Sequence, residues 1–267
     1  YVLCFAFVMG SSYNNLMPAS FNHLLLSNQE LLSIKNNFVS ELQKASYGEQ
    51  TSIPFLRHSL PTISPLKDGD IFQVMTIGGS VFKSALVRKQ GNESTIVREK
   101  EDQIPTFHSD KIFFEFINKH LDPAITYLSL ILAYPLQQTF ENNLLDGILL
   151  RGTKEHAFAG LINKEIGKSF EEYIQKKQNR IIHITVANDT VCLFLSEASK
   201  ATWQNTVAGI IGTGSNYALG MNTEIINLEC GHFDQFDQTS SGKKVDENSM
   251  NPGKQLIEKE IAGVYLF

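Results

Sequence analysis

The stretch Arg180-Ile-Ile-His-Ile-Thr-Val-Ala-Asn-Asp-Thr190 is a run of β-branched residues that stops at three polar ones. That is the pattern of a buried strand delivering polar side chains at its carboxyl end. Before it, residues 163–177 are polar and helix-favouring, with Ile166, Phe170, Tyr173 and Ile174 on one apolar stripe. After it, residues 190–198 continue as a helix, and a second β-branched run over 206–211 ends in Gly212-Thr-Gly-Ser-Asn216. Helix, strand, helix and strand in succession make this an α/β protein.

The alternation extends upstream. Ser27-Asn-Gln-Glu30 fits a capping box, and Leu31, Ile34, Phe38 and Leu42 follow at helical spacing. Residues 46–70 carry Gly48, Pro54, Pro61, Pro65 and Gly69 and read as a connector. Residues 71–87, broken by Gly78-Gly79, read as two short strands around a glycine turn, with a third over 93–98. Residues 110–120 place Phe113, Phe116, Ile117 and His120 on one helical face, and 126–134 form a buried strand closing at Pro135. There is no internal repeat and no low-complexity tract.

Composition narrows the function. With 267 residues, 42% hydrophobic and 19% charged, the chain is an ordinary globular one. No window reaches the run of about 18 apolar residues that a membrane span needs. A net charge of −5 without a basic tract excludes a non-specific nucleic-acid binder, which needs a basic face to release counterions. Cys4, Cys192 and Cys230 are too few and scattered for a disulfide scaffold, so a reduced, cytoplasmic setting is expected. The seven histidines show no ligand spacing, and no protein-held metal site is expected. Residues 1–9 look like a signal-peptide core, but the first Lys or Arg is Lys35, so no secretory signal is expected and Met17 is read as the start. Gly263-Val-Tyr-Leu-Phe267 stops inside a helical pattern without a cap, which reads as a truncation.

Chemistry has three candidate places. The turns Thr76-Ile-Gly-Gly-Ser80 and Gly212-Thr-Gly-Ser-Asn216 each follow a strand, and glycines there let backbone N–H groups approach a phosphate. Either turn alone is more often a plain hairpin turn, and the two together bring the phosphate reading level with it. Neither is a dinucleotide fingerprint, since Tyr217 stands where a third glycine belongs, and Gly167-Lys-Ser169 is not a P-loop, since Ile162 precedes it. Asn188-Asp189 sits where ligands bind in open α/β sheets, and a carboxylate there can take a proton from a hydroxyl; capping the next helix is the commoner use of such a pair. Glu229, on an apparent buried strand, needs a partner, whereas Glu258 fits a solvated helix face equally well.

Taken in order, these segments resemble the hexokinase family of sugar kinases, with its actin-like (ribonuclease H-like), two-lobe α/β fold. Ile71-Phe-Gln-Val-Met-Thr-Ile-Gly-Gly-Ser-Val-Phe-Lys83 is similar to the first phosphate loop. Leu128-Ser-Leu-Ile-Leu-Ala-Tyr-Pro-Leu-Gln-Gln138 and Gly152-Thr-Lys154 are similar to the sugar-binding strand and its Thr-Lys pair. Val186-Ala-Asn-Asp-Thr-Val191 resembles the segment of the catalytic aspartate, and Ile210-Ile-Gly-Thr-Gly-Ser-Asn216 the second phosphate loop. Asn227-Leu-Glu-Cys-Gly-His-Phe233 and Asn251-Pro-Gly-Lys-Gln-Leu-Ile-Glu-Lys259 resemble later sugar-binding segments.

The resemblance implies ATP with Mg²⁺ as phosphoryl donor and a glucose-like hexose as acceptor. It implies Asp189 as general base and Thr153, Lys154, Asn188, Asn216, Glu229 and Glu258 around the sugar. Gly78, Gly79, Ser80, Lys83, Gly212, Thr213 and Gly214 would face the phosphates. It also implies a division into residues 1–26 outside the fold, 27–66 as helix and connector of the large lobe, 67–187 as the small lobe, and 188–267 as part of the large lobe, with the remainder and the adenosine pocket beyond the chain end. Four positions depart from the family pattern: Thr76 replaces an aspartate that orients the magnesium's water shell, Val81 an asparagine, Lys83 an arginine, and Ala133 a serine.

Overall fold

The computed structural model describes residues 26–60, 64–91, 93–141, 144–154, 156–197 and 203–266. The expectations for residues 1–25, among them the absent signal and the start at Met17, lie outside these. Helix α1 (Asn28–Ser46) begins as its sequence dictates: Ser27 Oγ accepts from the Glu30 N–H at 3.2 Å, and the Glu30 carboxylate accepts from the Ser27 N–H at 2.7 Å. Its apolar side, Ile34, Phe38 and Leu42, packs on Ile53, Ile226, Leu228, Cys230 and Phe233.

A five-stranded sheet runs in the order β4 (Glu93–Gln103), β3 (Val81–Gln90), β2 (Ile71–Ile77), β5 (Tyr127–Leu132), β8 (His183–Asn188). Strict alternation turns Met75, Ile77, Leu128, Leu130, Leu132, Ile184 and Val186 to one face. There α2 (Asp110–His120) and α3 (Ile166–Gln178) cover them with Phe113, Phe114, Ile117, Phe170 and Ile174. Strands β2, β5 and β8 are parallel, and Ile77 is in register with Leu132, which is in register with Asn188. Three chain segments therefore leave the sheet side by side: Gly78-Gly79, Ala133-Tyr134 and Asn188-Asp189.

A second, antiparallel sheet has the order β1 (Leu56–His58), β11 (Glu224–Asn227), β10 (Ser215–Met221), β9 (Val207–Ile211). Helix α4 (Asp189–Glu197) packs Val191 and Phe194 against Ala208, Ala218 and Ile225. One strand of this sheet, β1, comes from within the stretch expected to be irregular. A hairpin of β6 (Leu136–Glu141) and β7 (Leu144–Leu149) follows β5 and leads into Arg151-Gly-Thr-Lys154. The polar run Gln137-Gln-Thr139 hid it from the periodicity reading. Short helices α5 (Ser240–Asn248), α6 (Leu256–Ile261) and α7 (Gly263–Leu266) end the described chain. Among the described residues no helix is long and apolar enough to cross a membrane.

Candidate functional site

The sheet's carboxyl edge meets the second sheet at a polar cavity of about 130 Å³. Asn188 closes β8, and its Oδ1 accepts from the N–H groups of Thr190 (2.9 Å) and Val191 (3.4 Å), capping α4. Of the two uses foreseen for this pair, the cap is seen, and Asn188 makes it. Its amide N–H₂ donates to the Tyr134 carbonyl at 3.1 Å and to Glu229 Oε1 at 3.4 Å. Asp189 is the first helical residue, borders the cavity, and accepts from the Thr190 N–H at 2.8 Å.

Glu229 corrects one expectation: it does not lie on a strand. It follows β11 at the start of a single 3₁₀ turn, Cys230–His232, with a left-handed backbone at φ +51°. Its Oε1 receives amide donors from Asn188, from Asn216 at 3.1 Å and from Asn227 at 2.9 Å. Asn216 also donates to Asn227 Oδ1 at 2.7 Å, so these side chains form one network. For Glu258 the structure decides between the alternatives left open: it is 3% exposed and not on a solvated face. Its Oε1 accepts from the Ser215 N–H at 3.1 Å and its Oε2 from Gln255 Nε2 at 2.5 Å. Buried carboxylates need such partners, and here they have them.

Lys154 is the cation of this set. Its Nζ donates to the Ala133 carbonyl at 2.6 Å and lies 5.6 Å from the centre of the Tyr134 ring. Its charge favours the ionised forms of Asp189, Glu229 and Glu258, but burial outweighs it at all three. Each carboxyl therefore holds its proton more tightly than in water, and Glu229 is pushed up to about 7. Thr153, buried, completes the lining on this side.

The two glycine turns close the cavity from opposite sheets. A Cβ on Gly79 would lie 2.6 Å from Thr213 Cγ2, and Ser80 Oγ lies 3.2 Å from Thr213 Oγ1. A Cβ on Gly214 would run into Glu258 Oε1 and the Lys154 stem. Glycine here is a requirement of close approach. Gly78, Gly79, Thr153, Lys154, Asn188, Asp189, Thr213, Gly214, Asn216, Glu229 and Glu258 all border this single space. Ser80 and Gly212 stand at the hairpin tips outside the lining, with the Gly212 carbonyl accepting from the Gly263 N–H at 2.8 Å.

Lys83 does not join them. Phe82 and Ser84 take the buried face of β3, so Lys83 falls on the opposite face, level with Thr76, with its Nζ 3.3 Å from Glu101 Oε2. Thr76 and Lys83 line a separate hollow with Glu99 and Glu101. Asn227 and Gln255 are functional neighbours that the sequence motifs did not single out; a Glu two or three positions from an amide was the available signal. Among the described residues no cluster of His, Cys, Asp and Glu is composed to hold a metal ion.

The chain matches the hexokinase family over residues 19–199 and again over 206–266. Hexokinase-4, chloroplastic, from Oryza sativa subsp. japonica is 27% identical over 82% of this chain and 48% of its own length. Human hexokinase-2 is 29% identical over 91% of this chain and 30% of its own length. The chain thus spans about half the length of the rice relative and less of the human one. Among solved structures, that of a hexokinase from Schistosoma mansoni complexed with glucose superposes with a TM-score of 0.71 at 22% identity, over 90% of this chain and 61% of that one. At that identity the superposition establishes the fold, the actin-like α/β fold of the sugar kinases.

Proposed function

The chain belongs to the hexokinase family, and from that premise we propose that its protein is an ATP-dependent hexose kinase transferring the γ-phosphoryl group to the 6-hydroxyl of a glucose-like sugar. The observation that carries the reading is the cavity itself. One buried space is bordered by Asp189, Lys154, Glu229, Glu258, Asn216 and Thr153 and roofed by two glycine hairpins. At about 130 Å³ the cavity is well below the roughly 300–1,000 Å³ of drug-sized and cofactor pockets, which favours a small polar ligand over a nucleotide. Carboxylates, amides and a hydroxyl supply both acceptors and donors, as a polyol requires.

In this reading Asp189 takes the proton from the attacking hydroxyl. Its burial raises its proton affinity, which suits a base. Lys154 offsets the charge of the surrounding carboxylates, Glu229 and Glu258 accept from sugar hydroxyls, and Asn188 fixes both α4 and Glu229 rather than spending its amide on the ligand. The donor, ATP carrying its magnesium, is a second substrate. Its phosphates would lie along Gly78-Gly79-Ser80 and Gly212-Thr213-Gly214. Its metal would be held chiefly by those phosphates, since magnesium commonly uses only one or two protein carboxylates. Bringing the tips together excludes water, the competing acceptor.

Thr76 favours a second reading, a sugar-binding regulator without useful turnover, because neither it nor Lys83 offers a carboxylate or a cation to the cavity. Assaying the full-length protein for sugar phosphate from ATP and glucose separates the two. Turnover that Asp189→Ala abolishes supports the kinase. No turnover from folded protein that glucose still stabilises supports the regulator.

A further inference from the structure

The turn Glu229–His232 holds a feature that the reaction scheme does not use. Glu229 adopts the left-handed region without being glycine, a conformation that persists only where the surroundings enforce it. Its carbonyl is held by His232. The Glu229 carbonyl accepts from the His232 backbone N–H at 3.1 Å and faces the ring Nδ1 at 3.0 Å. A carbonyl only accepts, so Nδ1 carries the proton and Nε2 is the unprotonated nitrogen. Burial, with the nearby charges of Arg151 and Lys254, holds the ring's pKa down at about 4, so it stays neutral. Nε2 is buried with no hydrogen-bond partner among the described residues. The ring borders the polar cavity on one side and, with Gln255, forms the wall to a neighbouring hollow containing Arg151 and Lys254. At Gly231, between Glu229 and His232, a Cβ would lie 3.3 Å from Glu258 Cδ, so the same turn packs against the second carboxylate.

Resting on the sugar-cavity reading above, we propose that His232 is a positioning residue for sugar binding: gripping the Glu229 carbonyl with both its backbone N–H and its ring Nδ1–H, it fixes the left-handed turn that presents the Glu229 carboxylate to the cavity. It acts through Glu229 and touches no reacting atom.

The test is a calorimetric glucose titration of the full chain, arranged as a double-mutant cycle. His232→Ala weakens glucose binding about tenfold, and His232→Asn, which keeps an N–H donor, recovers most of it. On a Glu229→Gln background, His232→Ala costs less than a further twofold, because the group it positions is already altered. Equal losses on both backgrounds, or unchanged glucose binding in His232→Ala, overturn the proposal, since a merely structural role is additive. Where the alanine variant does not fold, His232→Asn against His232→Leu makes the same comparison, donor present against donor absent. A wild-type protein that binds no hexose overturns the sugar reading itself and this inference with it, an outcome distinct from binding that is insensitive to His232.

Discussion

The two walls of the cavity are built on different principles. One wall carries two hydrogen-bonded clusters, Asn188, Asn216 and the underlying Asn227 around Glu229, and Gln255 with the Ser215 N–H around Glu258, so each carboxylate receives amide or backbone donors before any ligand arrives. The wall formed by Gly78-Gly79 and Gly212-Thr213-Gly214 offers backbone and little else. The charged side chain nearest the first hairpin in sequence, Lys83, is on the far face of β3. A wall of fixed side chains can discriminate among hydroxyl patterns, because a mismatched ligand leaves buried groups unpaired. A wall of backbone N–H groups recognises the tetrahedral phosphate common to many donors. On the kinase reading proposed above, selectivity for the acceptor is written in side chains, and tolerance for the donor in glycines.

The largest effect expected from breaking this division is at the hinge between the walls. If Asp189 is the base as proposed, Asp189→Asn lowers turnover by about 10²–10⁴-fold, while glucose affinity changes by no more than a few-fold. Steady-state phosphorylation alongside calorimetry on the full-length protein reads both.

Next come the paired glycines of the second hairpin. Gly214→Ala forces a methyl group into Glu258 and Lys154, and overpacking of this kind costs about 1–3 kcal/mol. It should show in urea unfolding and as a loss of glucose-induced stabilisation. Gly212→Ala meets nothing within 4 Å among the described residues and should alter stability by less than about 0.5 kcal/mol. Equal effects at both positions would mean that the hairpin does not press on the carboxylate wall as described.

The third effect is electrostatic. Glu229 titrates near 7 in the folded chain against an ordinary 4.5, so between those values the folded state holds a proton that the unfolded state has released. Its contribution to stability is fully present below pH 4.5 and is lost as the pH rises through about 7, at up to about 1.4 kcal/mol per pH unit. Ligand-free wild-type protein should therefore lose roughly 2 kcal/mol more than Glu229→Gln between pH 5 and 7, measured by denaturant titration at each pH. The smallest effect is at Lys83. Lys83→Ala removes an exposed ion pair with Glu101, worth about 0–1 kcal/mol, and glucose binding should not change.

Much of this was legible in the sequence. Strand-ending signals placed Asn188-Asp189 and both glycine turns at the sheet edge, because β-branched runs and glycine act locally. Glu258 was legible only as a residue: a six-residue helix, Leu256–Ile261, is too short for a periodic stripe to separate a buried face from a solvated one. That Lys83 lies outside the cavity was not legible, because co-linearity with a motif says nothing about which face of a pleated strand a side chain takes, and one residue decides it. His232 carried no sequence signal at all. Its role arises from a left-handed turn, and a non-glycine residue in that conformation is held there by tertiary contacts that no local pattern records.

The account rests on Asp189, Lys154, Glu229 and Glu258 forming a single hexose pocket. The most direct test is calorimetric titration of glucose into the full-length protein carrying Glu258→Gln, set beside Lys83→Ala. The account predicts saturable binding in wild type and in Lys83→Ala, and binding weakened at least tenfold in Glu258→Gln, on the order of a charge-assisted hydrogen bond lost at about 1.5–3 kcal/mol. Wild-type affinity retained in Glu258→Gln would contradict it.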